Sequence, residues 1–197
     1  MTVFPASPAD PSPPRARASF LAAGVFAAAA VAVIAAVVVS LWSPMRALSA
    51  PFVPTEASGH LAESVALGDD DLPAIAKLNP SLRAAMADAA EAAAAEGVAF
   101  EVTSGWRSRD YQQWLLDDAI VTYGSEEVAR RFVATPDRSS HVTGNAVDIG
   151  PLDAQLWLIA HGAQWGVCQI YANERWHFEK ATDAGGTCPA LRADAAG

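Results

Sequence analysis

Positive charge is scarce in this chain. Its 197 residues include thirteen Lys or Arg against twenty-two Asp or Glu, and the formal net charge is -9. Three of the basic residues lie before residue 50, where Asp10 is the one acid, so from residue 51 onward ten basic residues face twenty-one acidic ones, a difference of -11. Such a surface repels phosphate groups. Nucleic acid is therefore excluded as the partner.

Cysteine is also rare. Cys168 and Cys188 are the two in the chain, and they lie twenty residues apart. In an oxidising compartment they could close a loop and contribute roughly 3 kcal/mol by restricting the unfolded chain. The alternative is a pair of buried thiols, since cysteine is a common core residue. We predict the disulfide, which has meaning only outside the cytoplasm.

Charged residues are absent from Phe20 to Trp42, a run of 23 residues whose one polar side chain is Ser40. As a helix this run would extend roughly 34 Å, enough to cross a hydrocarbon core of about 30 Å. The alternative is a cleaved signal peptide, because Ala47 to Ala50 resembles a small-residue cleavage site, but signal h-regions span only about 7 to 15 residues. We predict an uncleaved transmembrane helix over residues 20–42.

The segments beside this run lack apolar periodicity. Residues 1–19 are rich in Pro, Ala and Ser, and we predict a disordered tail that is cytoplasmic because arginines precede the span. Residues 43–71 contain several prolines and an acidic run, and we predict an extracytoplasmic linker in which His60 is solvated. The chain would then be a single-pass protein of the cell membrane with its globular domain outside.

The globular domain is predicted over residues 72–190, followed by a frayed C-terminus over 191–197. Apolar residues at helical spacing lie between the Asn79-Pro80 start signal and Gly97, which predicts a helix. Further helices are predicted over 111–123, over 125–133, and from an Asp153 cap to 161. Short strands are predicted over 98–103, 146–150, 167–171 and 175–179. This order predicts an α+β fold with a small, mostly antiparallel sheet flanked by helices.

The segment Ser139 to Gly150, SSHVTGNAVDIG, has the clearest chemical pattern. His141 and Asp148 lie seven residues apart across a turn that contains Gly144. Imidazole nitrogen and carboxylate oxygen are both good zinc ligands, and a turn of this kind can direct two side chains to one point. A third ligand is available in His177 near the C-terminus.

Glu174 lies three residues before His177 and completes the set that a zinc hydrolase needs, with three ligands and one general base. Other interpretations exist for each residue. A histidine can be a hydrogen-bonded core residue, Glu174 could pair with Arg175 on the surface, and Arg107 at the end of a strand could be an ordinary ion-pair partner. Asp148 between apolar neighbours should be neutralised by a metal or by an arginine, and we favour the metal.

Three blocks of the sequence resemble, in the same order, those of the VanY-like D-Ala-D-Ala carboxypeptidases. The blocks are SGWRS at 104–108, SSHVTGNAVD at 139–148 and ERWHF at 174–178. These enzymes belong to a zinc peptidase group that includes the D-Ala-D-Ala dipeptidases and shares a fold with the hedgehog signalling domain. The resemblance covers roughly residues 72–180.

The resemblance implies a role for each residue of the blocks. The implied zinc ligands are His141, Asp148 and His177. Glu174 would be the catalytic base, and Arg107 would contact the substrate and the transition state. We also predict that Ser139 contacts the substrate.

The resemblance implies a zinc-dependent D-alanyl-D-alanine carboxypeptidase acting on peptidoglycan stem peptides, and the composition of residues 20–42 adds the prediction of a membrane anchor. One alternative is a dipeptidase or endopeptidase that cuts elsewhere in the wall peptide. A second is a non-catalytic, zinc-stabilised module that binds peptidoglycan or a protein, although Glu174 would then have no role. Nickel, cobalt or copper would also accept two nitrogen ligands and one carboxylate oxygen.

Overall fold

A four-stranded antiparallel sheet lies at the centre of the structure, a computed structural model that describes residues 51–197. The strands are β1 (Glu101–Ser104), β2 (Ala146–Gly150), β3 (Val167–Gln169) and β4 (His177–Lys180). Their order across the sheet is β1-β2-β4-β3, and every neighbouring pair is antiparallel. β2 is buried at all five positions, as expected of a strand with a partner on each side. The predicted α+β class with a small antiparallel sheet is confirmed.

Five α-helices are present among the described residues. They are α1 (Pro73–Ala76), α2 (Pro80–Ala95), α3 (Arg109–Tyr123), α4 (Glu126–Ala129) and α5 (Leu152–His161). Helix α2 starts as predicted, because the Asn79 side chain accepts a hydrogen bond from the backbone N–H of Ser81. The predicted Asp153 cap of α5 is wrong: Pro151 is the N-cap, and Asp153 lies in the first turn. There its carboxylate still complements the helix N-terminus.

Three strand boundaries differ from the predicted ones by two or three residues. β1 begins at Glu101, not at residue 98, because its partner β2 ends opposite it at Gly150. β3 ends at Gln169, and Tyr171 instead forms an isolated bridge with Arg192. β4 begins at 177, not at 175, because the preceding residues form a turn. The alternation of apolar and polar residues indicates which side chains are buried. It does not indicate where the hydrogen bonding between two strands begins or ends.

The main core lies between one face of the sheet and the helices α2 and α5. Val147 and Ile149 of β2 and Phe178 of β4 are fully buried in it. Because successive side chains of a strand point to opposite faces, Asp148 and His177 point away from this core. These two residues are also direct partners in the β2–β4 register. The sheet therefore sets one carboxylate and one imidazole side by side on its second face.

Residues 51–71 pack on the domain and do not form a free linker. Val65 and Val102 exchange backbone hydrogen bonds of 3.0 and 2.8 Å in an antiparallel bridge. His60, predicted to be solvated, places its Nδ1 3.0 Å from the hydroxyl of Tyr111. The compact unit accordingly spans Pro51 to Gly197. Composition did not indicate this, since the contacts are with residues about 40 to 50 positions away.

The end of the chain, predicted to be frayed, also packs on the domain. Cys168 and Cys188 form a disulfide with a Cα–Cα distance of 5.7 Å. After it, Arg192 pairs with Tyr171 in a parallel bridge, and Ala195 is only 8% exposed. The disulfide attaches this segment to β3. The segment therefore packs on the domain although it contains few apolar residues.

The predictions for residues 1–50, namely the tail 1–19, the transmembrane helix 20–42 and the start of the linker at 43, lie outside the described residues. Within 51–197, no helix combines the length and the hydropathy required to cross a membrane.

Gly144 provides a test of how tightly the 139–150 segment is held. It has φ +73°, and an added Cβ would overlap the backbone oxygen of Lys77. Gly97 also has a positive φ but has no atom within 4 Å of an added Cβ. We expect Gly97→Ala to lower the free energy of unfolding by about 1 kcal/mol from backbone strain alone, and Gly144→Ala by about 3 kcal/mol or more. Urea unfolding of the full chain measures both, and equal losses would contradict the packing shown here.

Candidate metal centre

Three potential ligand atoms converge on the second face of the sheet. His141 Nε2 lies 3.2 Å from His177 Nδ1 and 3.3 Å from Asp148 Oδ1. His177 Nδ1 lies 3.4 Å from the same carboxylate oxygen. All three side chains are buried, with 4 to 6% of each residue exposed. This group of two imidazoles and one carboxylate could hold a metal ion.

The turn before β2 brings His141 to the two strand residues. Asn79 donates its backbone N–H to the carbonyl oxygen of Gly144 at 2.8 Å, and Asn145 donates its own to Ser140 at 2.8 Å. The positive φ of Gly144 allows the chain to reverse there without strain. His141 is thereby fixed by the turn, while Asp148 and His177 are fixed by strand register.

Hydrogen bonds on the outer side of each ring define which nitrogen faces the centre as an acceptor. His141 Nδ1 lies 2.8 Å from the carbonyl oxygen of Gly105, which can only accept, so Nδ1–H donates and Nε2 has the lone pair. His177 Nε2 lies 3.0 Å from Glu179 Oε1 in the same relation, which leaves the lone pair on Nδ1. Asp148 Oδ1 has no hydrogen-bond partner. With both rings neutral, three acceptor atoms therefore surround a point that favours a cation.

The two imidazoles differ in proton affinity. Burial lowers the pKa of His177, but the neighbouring carboxylates of Asp148 and Glu179 outweigh it and raise the pKa to about 9. Burial and the positive charge of Arg107 lower the pKa of His141. Positive charge is therefore favoured more strongly at His177 than at His141.

Arg107 binds the outer oxygen of Asp148. Its Nη2 donates to Asp148 Oδ2 at 3.0 Å, its Nε to Ser104 Oγ at 2.8 Å and its Nη1 to Gln112 Oε1 at 3.2 Å. Burial by itself raises the pKa of Asp148, but His141, His177 and Arg107 outweigh it and hold the pKa well below its usual range. Asp148 is therefore ionised, with one oxygen on the arginine and the other facing the histidines. The metal and the arginine interpretations of Asp148 are thus compatible.

Glu174 lies beside the centre without a committed partner. It is 7% exposed, its Oε1 has no hydrogen-bond partner, and its Oε2 is 3.8 Å from His177 Nδ1. Burial raises the pKa of Glu174 to about 7. Among the described residues it forms no ion pair with Arg175. A buried carboxyl group of this kind can both accept and release a proton near neutral pH.

A cavity of about 70 Å³ opens onto the centre and includes Arg107, Glu174 and the three potential ligands in its lining. Ser139 also lines it and is buried, with its backbone N–H donated to Thr135 at 3.0 Å. All the residues singled out from the sequence, except the two cysteines, therefore meet at one cavity.

Sequence reasoning missed several residues of this site, including Gln112, Tyr171, Glu179 and Ala195. A signal existed for Glu179, because two residues after His177 on a strand is the same face of the sheet. No local pattern indicates Tyr171 or Ala195, since their positions depend on the return of the C-terminal chain to β3.

An α+β domain with two imidazoles, one carboxylate and a neighbouring buried glutamate has the arrangement typical of a mononuclear zinc hydrolase. The model of the VanY family of D-alanyl-D-alanine carboxypeptidases matches residues 75–181. The chain belongs to this family.

Individual relatives agree with the family assignment. A D-alanyl-D-alanine carboxypeptidase of Enterococcus faecalis is 28% identical over 116 residues, which cover 46% of this chain and 43% of the relative. The chain thus spans less than half the length of that relative.

Two solved structures share the fold. A mutant of the vancomycin resistance D,D-pentapeptidase VanY in complex with Zn(II) aligns with a TM-score of 0.52 at 22% identity, covering 66% of this chain and 87% of that one. VanYB in complex with D-alanine-D-alanine aligns with a TM-score of 0.51 at 23% identity, covering 64% and 80%.

Removing one imidazole should destroy the metal site. We expect His177→Ala to weaken zinc binding by at least about 100-fold, because a ligand and its hydrogen bond to Glu179 are lost together. The measurement is competition with a fluorescent chelator. His161→Ala is the control, since His161 packs on Trp157 at 4.8 Å between ring centroids and is not one of the ligand group. Equal affinities for the two variants would contradict the assigned ligands.

Glu179 should influence the metal through His177. We expect Glu179→Ala to reduce zinc affinity by about 10- to 100-fold, because the imidazole loses the partner that fixes its tautomer and orientation. Glu179→Gln retains an acceptor oxygen and should keep most of the affinity. The same chelator competition measures both, and a loss as large for glutamine as for alanine would show that acceptance of the hydrogen bond is not what matters.

Proposed function

We propose that this chain is a zinc-dependent D-alanyl-D-alanine carboxypeptidase that hydrolyses the terminal peptide bond of peptidoglycan stem peptides. The observation that carries the proposal is the convergence of three ligand atoms, from His141, Asp148 and His177, beside a Glu174 carboxyl group whose Oε1 has no hydrogen-bond partner. Membership of the D-alanyl-D-alanine carboxypeptidase family supports the choice of substrate.

The donor set fits zinc. Two imidazole nitrogens and one carboxylate oxygen are a common protein complement for a catalytic zinc, which keeps a fourth position for water or substrate. Zinc bound there would supply Lewis acidity, lowering the pKa of water to about 7 and polarising the scissile carbonyl group.

Glu174 is proposed to move the proton. Its carboxylate takes a proton from the attacking water as the water oxygen adds to the carbonyl carbon. When the C–N bond breaks, Glu174 passes that proton to the leaving amine, which departs as the terminal residue. The absence of a competing hydrogen bond to Oε1 leaves this oxygen free for both transfers.

Arg107 and Ser139 are proposed to hold the peptide. Arg107 has one N–H on Asp148 and another on Gln112, and its side chain is 15% exposed at the cavity. Its remaining N–H groups would donate to the terminal carboxylate of the substrate or to the oxyanion. Ser139 would contact the peptide from the cavity wall.

The domain is proposed to act outside the cytoplasm on a membrane anchor. Residues 20–42 would form the transmembrane helix, with the disordered tail 1–19 inside and a short linker, 43–50, before the domain. The Cys168–Cys188 disulfide supports an oxidising compartment, and stem peptides of the cell wall would be within reach of a domain held there.

Replacing the proposed base should stop turnover without removing the metal. We expect Glu174→Gln to lower kcat by about 10²- to 10⁴-fold on a peptide ending in D-Ala-D-Ala, because the amide cannot take up the proton. Mass spectrometry of the products measures turnover, and elemental analysis measures bound zinc, which should stay near the wild-type level.

Glu91→Gln, on the exposed side of α2, is the matched control and should keep wild-type activity. Full turnover by the Glu174→Gln variant would remove Glu174 from the mechanism. Products that have lost a dipeptide, or that are cut within the peptide, would replace the carboxypeptidase proposal with a dipeptidase or an endopeptidase. An intact peptide with zinc present would favour the binding module.

A further inference from the structure

One wall of the active-site cavity comes from outside the part of the chain that matches the family. The family match ends at residue 181, yet Ala195 lines the same cavity as Glu174 and the three potential ligands. Residues 188–196, named here the C-terminal strap, therefore add something to the site that the family match does not supply.

The strap is fixed at both ends. At its start, the disulfide joins Cys188 to Cys168 of β3. In its middle, the Arg192 backbone N–H donates to Ile170 at 2.9 Å, and its carbonyl oxygen accepts from Ala172 at 2.8 Å. At its end, Arg131 Nε donates to Asp194 Oδ2 at 3.0 Å. Because covalent, backbone and ionic contacts all attach this segment to the domain, it forms a fixed side of the cavity.

The strap reaches the metal centre through one side chain. Ala195 is 8% exposed and packs in an apolar cluster with Tyr171 and the disulfide, and Ala134 lies against that cluster. The Tyr171 ring lies 5.0 Å from the His177 ring, centroid to centroid. The small side chains of Ala134 and Ala195 both line the cavity, whose volume is about 70 Å³. Space of this size beside the ligands admits a small substituent.

We propose that the C-terminal strap is a specificity element, in which Ala195 limits the peptide residue held beside the metal centre to a small side chain such as that of alanine or glycine. The inference rests on the proposed peptidase function and assigns a further residue to its substrate selection. The small side chain of Ala195 leaves a limited volume for the substrate residue. The disulfide and the Arg131–Asp194 ion pair hold Ala195 in position.

Filling the cavity is the first test. Ala195→Leu should raise KM for a peptide ending in D-Ala-D-Ala by at least about tenfold, because three added carbon atoms occupy the space of the substrate methyl group. Zinc content should not change, since no ligand is touched. Leu191→Ala is the control, because Leu191 belongs to the strap but is 52% exposed, and it should leave KM unchanged. An unchanged KM for Ala195→Leu overturns the proposal.

Loosening the wall is the second test, and it separates selection from stability. With Cys168→Ser and Cys188→Ser together, or with Asp194→Asn, the ratio of kcat/KM for a leucine-terminated peptide to that for an alanine-terminated peptide should rise by at least about tenfold. A strap that only supports the fold would lower both values and leave the ratio constant. A constant ratio in folded, zinc-loaded variants overturns the proposal.

Failure of the proposed function would be recognised separately. If the zinc-loaded wild type cleaves none of the peptides, the peptidase proposal fails, and calorimetry with D-Ala-D-Ala then tests the strap alone. A Kd at least about tenfold higher for Ala195→Leu than for the wild type supports the strap as a wall of a binding site. An equal Kd, or no binding to the wild type, overturns it.

Discussion

The antiparallel register of β2 and β4 is the constraint on which the rest of the site depends. It places Asp148 directly opposite His177, so that a carboxylate and an imidazole share the face of the sheet that the core does not use. Apolar neighbours on the other face, Val147 and Phe178 among them, fix this register, because a slip of one residue would turn them out of the core. The hydrophobic packing of one face therefore determines the chemistry of the other.

The three potential ligands are held in place by hydrogen-bonding partners from other parts of the chain. Gly105 and Glu179 orient the two imidazoles, and Gln112 supports Arg107 while its own amide donates to the carbonyl oxygen of Ala134 at 2.8 Å. These contacts come from four separate parts of the chain. Precision at the site is thus a property of the whole domain, and each support removes one degree of freedom from a reacting group.

Much of the site, and less of its surroundings, could be predicted from sequence. The sequence indicated four site residues because histidines and carboxylates recur at the ends of predicted strands, and strand periodicity is a local signal. These residues are His141, Asp148, Glu174 and His177. The folded state of residues 51–71 and the return of the C-terminal strap could not be found in this way. Both depend on backbone hydrogen bonds to residues far away in the sequence. Amino-acid composition does not indicate which backbone groups form such bonds.

The ion pair between Arg107 and Asp148 has a consequence for how a cation would be held. Oδ2 accepts from the guanidinium group, whereas Oδ1 has no partner, so the carboxylate would bind a cation mainly through Oδ1. Binding through one oxygen would keep the coordination number of the ion low. Arg107 would then leave one position on the ion open for exchange. Its positive charge would affect both how Asp148 binds the ion and which anion can enter the site.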